Sequence, residues 1–203
     1  MIGIINYGMG NLTSVLNALK YIGIEAQLFS DPESIHSYNK VILPGVGAFG
    51  QAMHNLRESG MADAIHQYAS ENKYLLGICL GMQLLLEESC EHGNHIGLGL
   101  IKGKVKSFKG SIQNLPIPHV GWNNTFPGKT SKIFNNDPGL EQTFYFVHSF
   151  YCDLEDKSLV SGFTDYGIRF DSALESSNIF AAQFHPEKSQ KNGLEILKKF
   201  GSL

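Results

Sequence analysis

The first half of this chain alternates short β-branched runs with amphipathic stretches, and that alternation leaves few architectures open. Strands joined by helical crossovers of about a dozen residues or more pair in parallel, with the helices covering the sheet. Ile2 to Asn6 reads as a strand. It leads into a helix from about Leu12 to Ile22, on which Val15, Leu16, Leu19 and Ile22 recur at spacings of three and four. Further strands are expected at Glu25 to Phe29, Lys40 to Leu43 and Tyr74 to Ile78, with helical stretches from Phe49 to Ser70 between the last two. After Leu100 the strand-like runs follow one another without helices: Gly103 to Phe108, Phe144 to Phe150, Ser158 to Phe163, Ile168 to Leu174 and Ile179 to Phe184. The expected class is therefore α/β, a mostly parallel central sheet with a smaller antiparallel extension. A helix from about Ser189 to Phe200 closes the chain, and Ser111 to Glu141, rich in Pro, Gly, Asn and Thr, reads as either a functional surface loop set or a poorly ordered segment.

A length of 203 residues suits one domain, 1–203, and 42% hydrophobic residues supply a sizeable core. A formal net charge of -3 gives no basic excess to attract nucleic acid. Three cysteines, Cys79, Cys90 and Cys152, form no disulfide framework and fit a reducing compartment. The chain opens directly on an apolar strand without a basic leader, and no run approaches a membrane span, so a cytoplasmic protein is expected.

Gly77-Ile78-Cys79-Leu80-Gly81 has the form of a nucleophile elbow, with glycines two before and two after the reactive residue so that a strand can turn sharply into a helix. Tyr74-Leu75-Leu76 is the strand and Met82 to Glu88 the expected helix, which puts Cys79 at a helix N-terminus, where thiolate is favoured. Cys90 and Cys152 have no such frame and read as ordinary free cysteines.

A thiol nucleophile needs a base, and a third group to orient that base. Of eight histidines, His185 stands out: it follows the apolar run Ile179 to Phe184 and precedes Pro186, which takes the chain out of the sheet. Glu187 lies two residues on, and residues two apart in an extended segment face the same side. His36, His54, His66, His92 and His95 fall in helices or loops without such a frame. No His/Cys spacing suits zinc, so neither metal nor cofactor is expected.

The two motifs, Gly77 to Gln83 and His185-Pro186-Glu187-Lys188-Ser189, together resemble the class I (triad) glutamine amidotransferases. Within that class the chain is similar to the glutaminase-subunit family of imidazole glycerol phosphate synthase, through Asn6 to Leu12, Pro44 to Phe49, Pro118 to Asn123 and Tyr145 to Ser149. The resemblance implies a three-layer, flavodoxin-like fold and a triad in which Cys79 attacks the glutamine carboxamide, His185 is base and acid, and Glu187 orients it. It implies an oxyanion hole from the backbone N–H groups of Val46 and Leu80, and substrate contacts at Gly47, Gln83, Ser149 and Phe150. It also implies a heterodimer with a (β/α)8-barrel cyclase subunit that receives the ammonia, with Asn11, Trp122, Tyr145 and Lys188 near the interface. Ser107 stands where arginine is common in that family and Phe150 where tyrosine is common; neither touches the triad. A paralogous glutaminase serving a surface-sugar synthase, and a stand-alone cysteine γ-glutamyl hydrolase, are the competing readings.

Overall fold

The computed structural model describes residues 1–128, 131–134 and 142–203. Four strands run parallel in the order β2-β1-β3-β4, formed by Ile2–Ile5 (β1), Ala26–Phe29 (β2), Lys40–Gly45 (β3) and Tyr74–Cys79 (β4). Both faces of this sheet are covered, so the strand interiors read as apolar runs rather than alternating ones. Val41 and Leu43 pack beneath Phe49–Glu58 (α2) and Met61–Ser70 (α3), while Ile42 packs on the opposite face with Leu12–Tyr21 (α1) and Gln190–Ser202 (α5). The helical stretches expected from Phe49 to Ser70 are these two helices, α2 and α3, broken where Gly60 takes a left-handed φ of 76°.

Ile179–Ala182 (β13) continues the parallel order beside β4, and beyond it the sheet turns antiparallel through Arg169–Ser176 (β12), Phe150–Leu154 (β10) and Ile101–Ser107 (β7). The expected class and the antiparallel extension are both observed. Two local expectations are corrected. The helix read from Met82 to Glu88 is only Leu80–Leu84 (α4), after which Leu86–Ser89 (β5) joins β7 in parallel and His95–Ile96 (β6) pairs beside it. Leu84, Leu85 and Leu86 are all fully buried, and a run buried on every side carries no period that separates helix from strand.

The second correction concerns the segment read as a loop from Ser111 to Glu141. It contains a nine-residue strand, His119–Pro127 (β8), held between Gln142–His148 (β9) and Val160–Asp165 (β11). Its Gly121, Asn123, Asn124 and Pro127 depress strand propensity, and cross-strand pairing with β9 along its length overrides that. Residues 129–130 and 135–141 of the same segment lie outside the described residues. Among the described residues no helix is long and apolar enough to cross a membrane.

Candidate active site

Cys79 ends β4 with φ 55° and ψ −109°, a backbone conformation that costs a non-glycine residue about 1–3 kcal/mol and is kept only where surrounding structure enforces it. The enforcement comes from close backbone approach. A Cβ on Gly81 would overlap the Leu43 carbonyl oxygen, and one on Gly77 would meet the Gly81 carbonyl oxygen at 2.8 Å. The glycines flanking Cys79 therefore let β3, β4 and the start of α4 pack backbone to backbone.

The neighbouring loop is brought in by the same register. Gly45 pairs with Cys79 across β3 and β4, and the Tyr7 hydroxyl donates to the Pro44 carbonyl at 2.9 Å. Burial pushes the Tyr7 phenol up, so it remains a neutral donor. Val46 and Gly47 then line, with Cys79, Leu80 and Gln83, a pocket of about 590 Å³. The far wall is Val147, His148, Ser149 and Phe150, so every residue expected to hold the oxyanion or the substrate is on this one pocket.

His185 follows β13 and is buried, 2% exposed in its side chain, against a Glu187 side chain 1% exposed. Its Nδ1 lies 2.8 Å from Glu187 Oε1. The contact is as expected but its cause is not: Pro186–Lys188 forms a short 3₁₀ turn, and that turn, rather than an extended segment, brings the carboxylate round to the ring. With Nδ1 occupied, Nε2 is the nitrogen left for Cys79. Burial opposes charge on His185, yet the nearby Cys79 and the hydrogen-bonded Glu187 outweigh it and push the imidazole up to about 10.

Supporting contacts were not apparent from sequence. Gln183, fully buried, points its Nε2 at Cys79 Sγ at 3.8 Å and accepts from Gln83 Nε2 through its Oε1 at 3.0 Å. Gln83 Nε2 also donates to the Phe150 carbonyl at 3.1 Å, so the oxygen of the Gln83 amide is what faces an incoming ligand. The available signal was a glutamine inside an otherwise apolar strand run. Ser189 Oγ donates to the His185 carbonyl at 2.6 Å and accepts from the Tyr145 N–H at 2.9 Å, clamping the His185 turn to β9. Phe144 and Phe184 stack with centroids 3.8 Å apart behind the same junction. Glu91 also lines the pocket, and its carboxylate accepts from the Phe49 N–H at 2.6 Å, capping α2 where Ala48 has no side chain to do so.

The expected interface residues do not all behave alike. Trp122 is 49% exposed and meets the Tyr145 ring edge-on, while the Lys188 ammonium lies 5.9 Å from that ring. Asn11 is exposed and also caps α1, accepting from the Ser14 N–H. Cys90 is exposed and Cys152 is fully buried.

Comparison with known proteins follows the same lines. The family model described as Glutamine amidotransferase class-I matches residues 3–202. The chain is 50% identical to the imidazole glycerol phosphate synthase subunit HisH of Sulfurimonas denitrificans, covering 98% of this chain and 97% of the relative. It is 48% identical to the subunit of that name from Chlorobium chlorochromatii, with all of both chains covered. Among solved structures it superposes on PurLQS from Thermotoga maritima with a TM-score of 0.77 at 19% identity, covering 98% of this chain and 96% of that one. A crystal structure of a glutamine amidotransferase gives a TM-score of 0.72 at 20% identity, with 98% of each chain covered.

Proposed function

We propose, for a chain that belongs to the class-I glutamine amidotransferase family, that the Cys79–His185–Glu187 constellation is the triad by which it releases ammonia from glutamine. The chain is the glutamine amidotransferase subunit of imidazole glycerol phosphate synthase, acting in histidine biosynthesis. The full-length likeness to subunits of that name favours this over a surface-sugar paralogue or a stand-alone hydrolase. The cytoplasm is the compartment that fits three free cysteines and a biosynthetic role.

The observation that carries the mechanism is the ordered contact from Glu187 to His185 Nδ1, which leaves the buried Nε2 unpartnered and available to Cys79 in the pocket lining. Cys79 Sγ adds to the carboxamide carbon, and the oxygen takes the negative charge. The N–H groups of Val46 and Leu80 receive it, and His185 passes its proton to the departing nitrogen, so that ammonia leaves and a γ-glutamyl thioester remains. Water, deprotonated by His185, then releases glutamate and restores the thiol. Gly47, Ser149 and Phe150 hold the substrate backbone, and Gln83 offers its amide oxygen to the ammonium.

Ammonia goes to a (β/α)8-barrel synthase subunit in a one-to-one complex. What supports a docking face beside the pocket is the exposure of the apolar Ile117 and Val147 on its lining, 40% and 36%, and, along β8, of Val120, which pairs with Val147, and Trp122, 55% and 49%. Glutamate and ammonia release by the chain alone and with that subunit and its ribonucleotide is the deciding assay. Turnover should be slow alone and rise strongly in the complex, because the loop at Val46 and Gly47 (φ 99°) can turn one peptide to supply an oxyanion donor worth about a hundredfold to a thousandfold in rate. Full activity alone, unchanged by the partner, would restore the stand-alone hydrolase.

Within the triad the two partners of Cys79 should not be equivalent. His185→Ala removes both base and acid, whereas Glu187→Gln removes the orienting charge and leaves the imidazole in place, so kcat should fall further in the first. Steady-state kinetics of both variants test this, and equal, complete loss would put Glu187 in the chemistry itself.

A further inference from the structure

Two buried histidines outside the triad make contacts that assign every one of their ring protons. His119 on β8 and His148 on β9 are directly opposed across the strand pair, and His119 Nδ1 lies 3.0 Å from His148 Nε2. His148 Nδ1 is 2.7 Å from the Phe150 carbonyl, which can only accept, so Nδ1 carries the proton of His148 and Nε2 is an acceptor. His119 Nδ1 must then donate to it, leaving His119 Nε2 to accept from Asn123 Nδ2 at 3.2 Å. Asn123 Nδ2 is anchored in turn on the Asp165 carbonyl of β11 at 3.1 Å.

The chain of donors ends at a functional place. The bond from His148 to the carbonyl two residues on closes the bend at Ser149, and the same carbonyl accepts from Gln83. His119 stacks on Phe146 and Tyr166, with centroids 4.8 and 3.9 Å away, which holds its ring plane independently of its hydrogen bonds. We propose that Asn123, His119 and His148 are a proton-ordered relay of positioning residues, which sets the Phe150 carbonyl and thereby the Ser149 bend where the substrate backbone is held. This rests on the reading of the pocket as the glutamine site. Phe108, Phe146, Phe170 and the phenol of Tyr166 surround the two rings, and the nearest other titratable group acting on His148 is His185. Among the described residues no carboxylate faces them, so burial alone pushes His119 down to about 4 and, with the neighbouring imidazoles, His148 down to about 3.

The test uses His119→Phe, which keeps the stacked ring and removes the donor, and His119→Asn, whose amide N–H stands where Nδ1 stood. In the first, His148 Nε2 is left buried without its donor, and KM for glutamine should rise about tenfold with kcat little changed. The second should restore KM. In wild type, ¹⁵N spectra of the imidazoles should show both rings neutral and protonated on Nδ1 from pH 8 down to pH 5. An unchanged KM in a folded His119→Phe, equal impairment in both variants, or a titration of either ring near pH 6.5 would each overturn the relay. A wild type that fails to hydrolyse glutamine would instead sink the function, and the spectra would still judge the relay.

Discussion

Replacement of Cys79 by alanine should lower glutamine turnover by more than about ten-thousandfold, the scale on which loss of a nucleophile acts in a cooperating triad. The change removes one sulfur from a site whose shape is set by backbone contacts of Gly77 and Gly81, so the fold and the binding of the partner should survive it. Ammonia release, the melting curve and co-elution with the proposed barrel subunit measure the three separately. Retained turnover would mean that the chemistry lies elsewhere. Cys90→Ser is the control: Cys90 is exposed and lies outside the pocket lining, so its loss should leave turnover at the wild-type rate.

Gly81→Ala should be among the most damaging single methyls at the described residues. The new Cβ falls on the Leu43 carbonyl oxygen, and neither partner can retreat. Leu43 is registered against Gly77 across β3 and β4, and Gly81 is one residue inside α4. Overpacking a rigid junction costs about 3 kcal/mol or occasionally more. For a chain of this size that corresponds to a fall in Tm of roughly 6–12 °C. Thermal melting checks it, and a variant that melts with wild type would show that the elbow is not packed backbone to backbone. Activity should fall with stability, because the same approach holds the strained φ of Cys79.

These two expectations differ in how they could have been reached. Cys79 stood out in the sequence because its flanking glycines and strand-then-helix context are local, and local patterns report backbone conformation. The cost of a methyl at Gly81 depends on Leu43, 38 positions earlier in the chain, and only the β3–β4 register brings the two together. His185 and Glu187 were likewise legible as a pair, although a tight turn rather than an extended strand unites them. Gln183, Ser189 and Glu91 escaped notice, since a polar side chain declares no role until its partner is known.

By itself the sequence determined the parallel strands β1 to β4, the helices that cover them and the proposed reactive groups, while the parallel place of β13 beside β4 came only from the structure. Burial on one or both faces of a strand or helix is written into the spacing of apolar residues along a few turns of chain. The tertiary structure alone decided that Leu86–Ser89 is a strand and that β8 exists at all. It also decided that His119 and His148, 29 residues apart, share a proton chain. In each case the stabilising partner is a strand distant in sequence, and pairing energy appears only once the register between the two has been chosen.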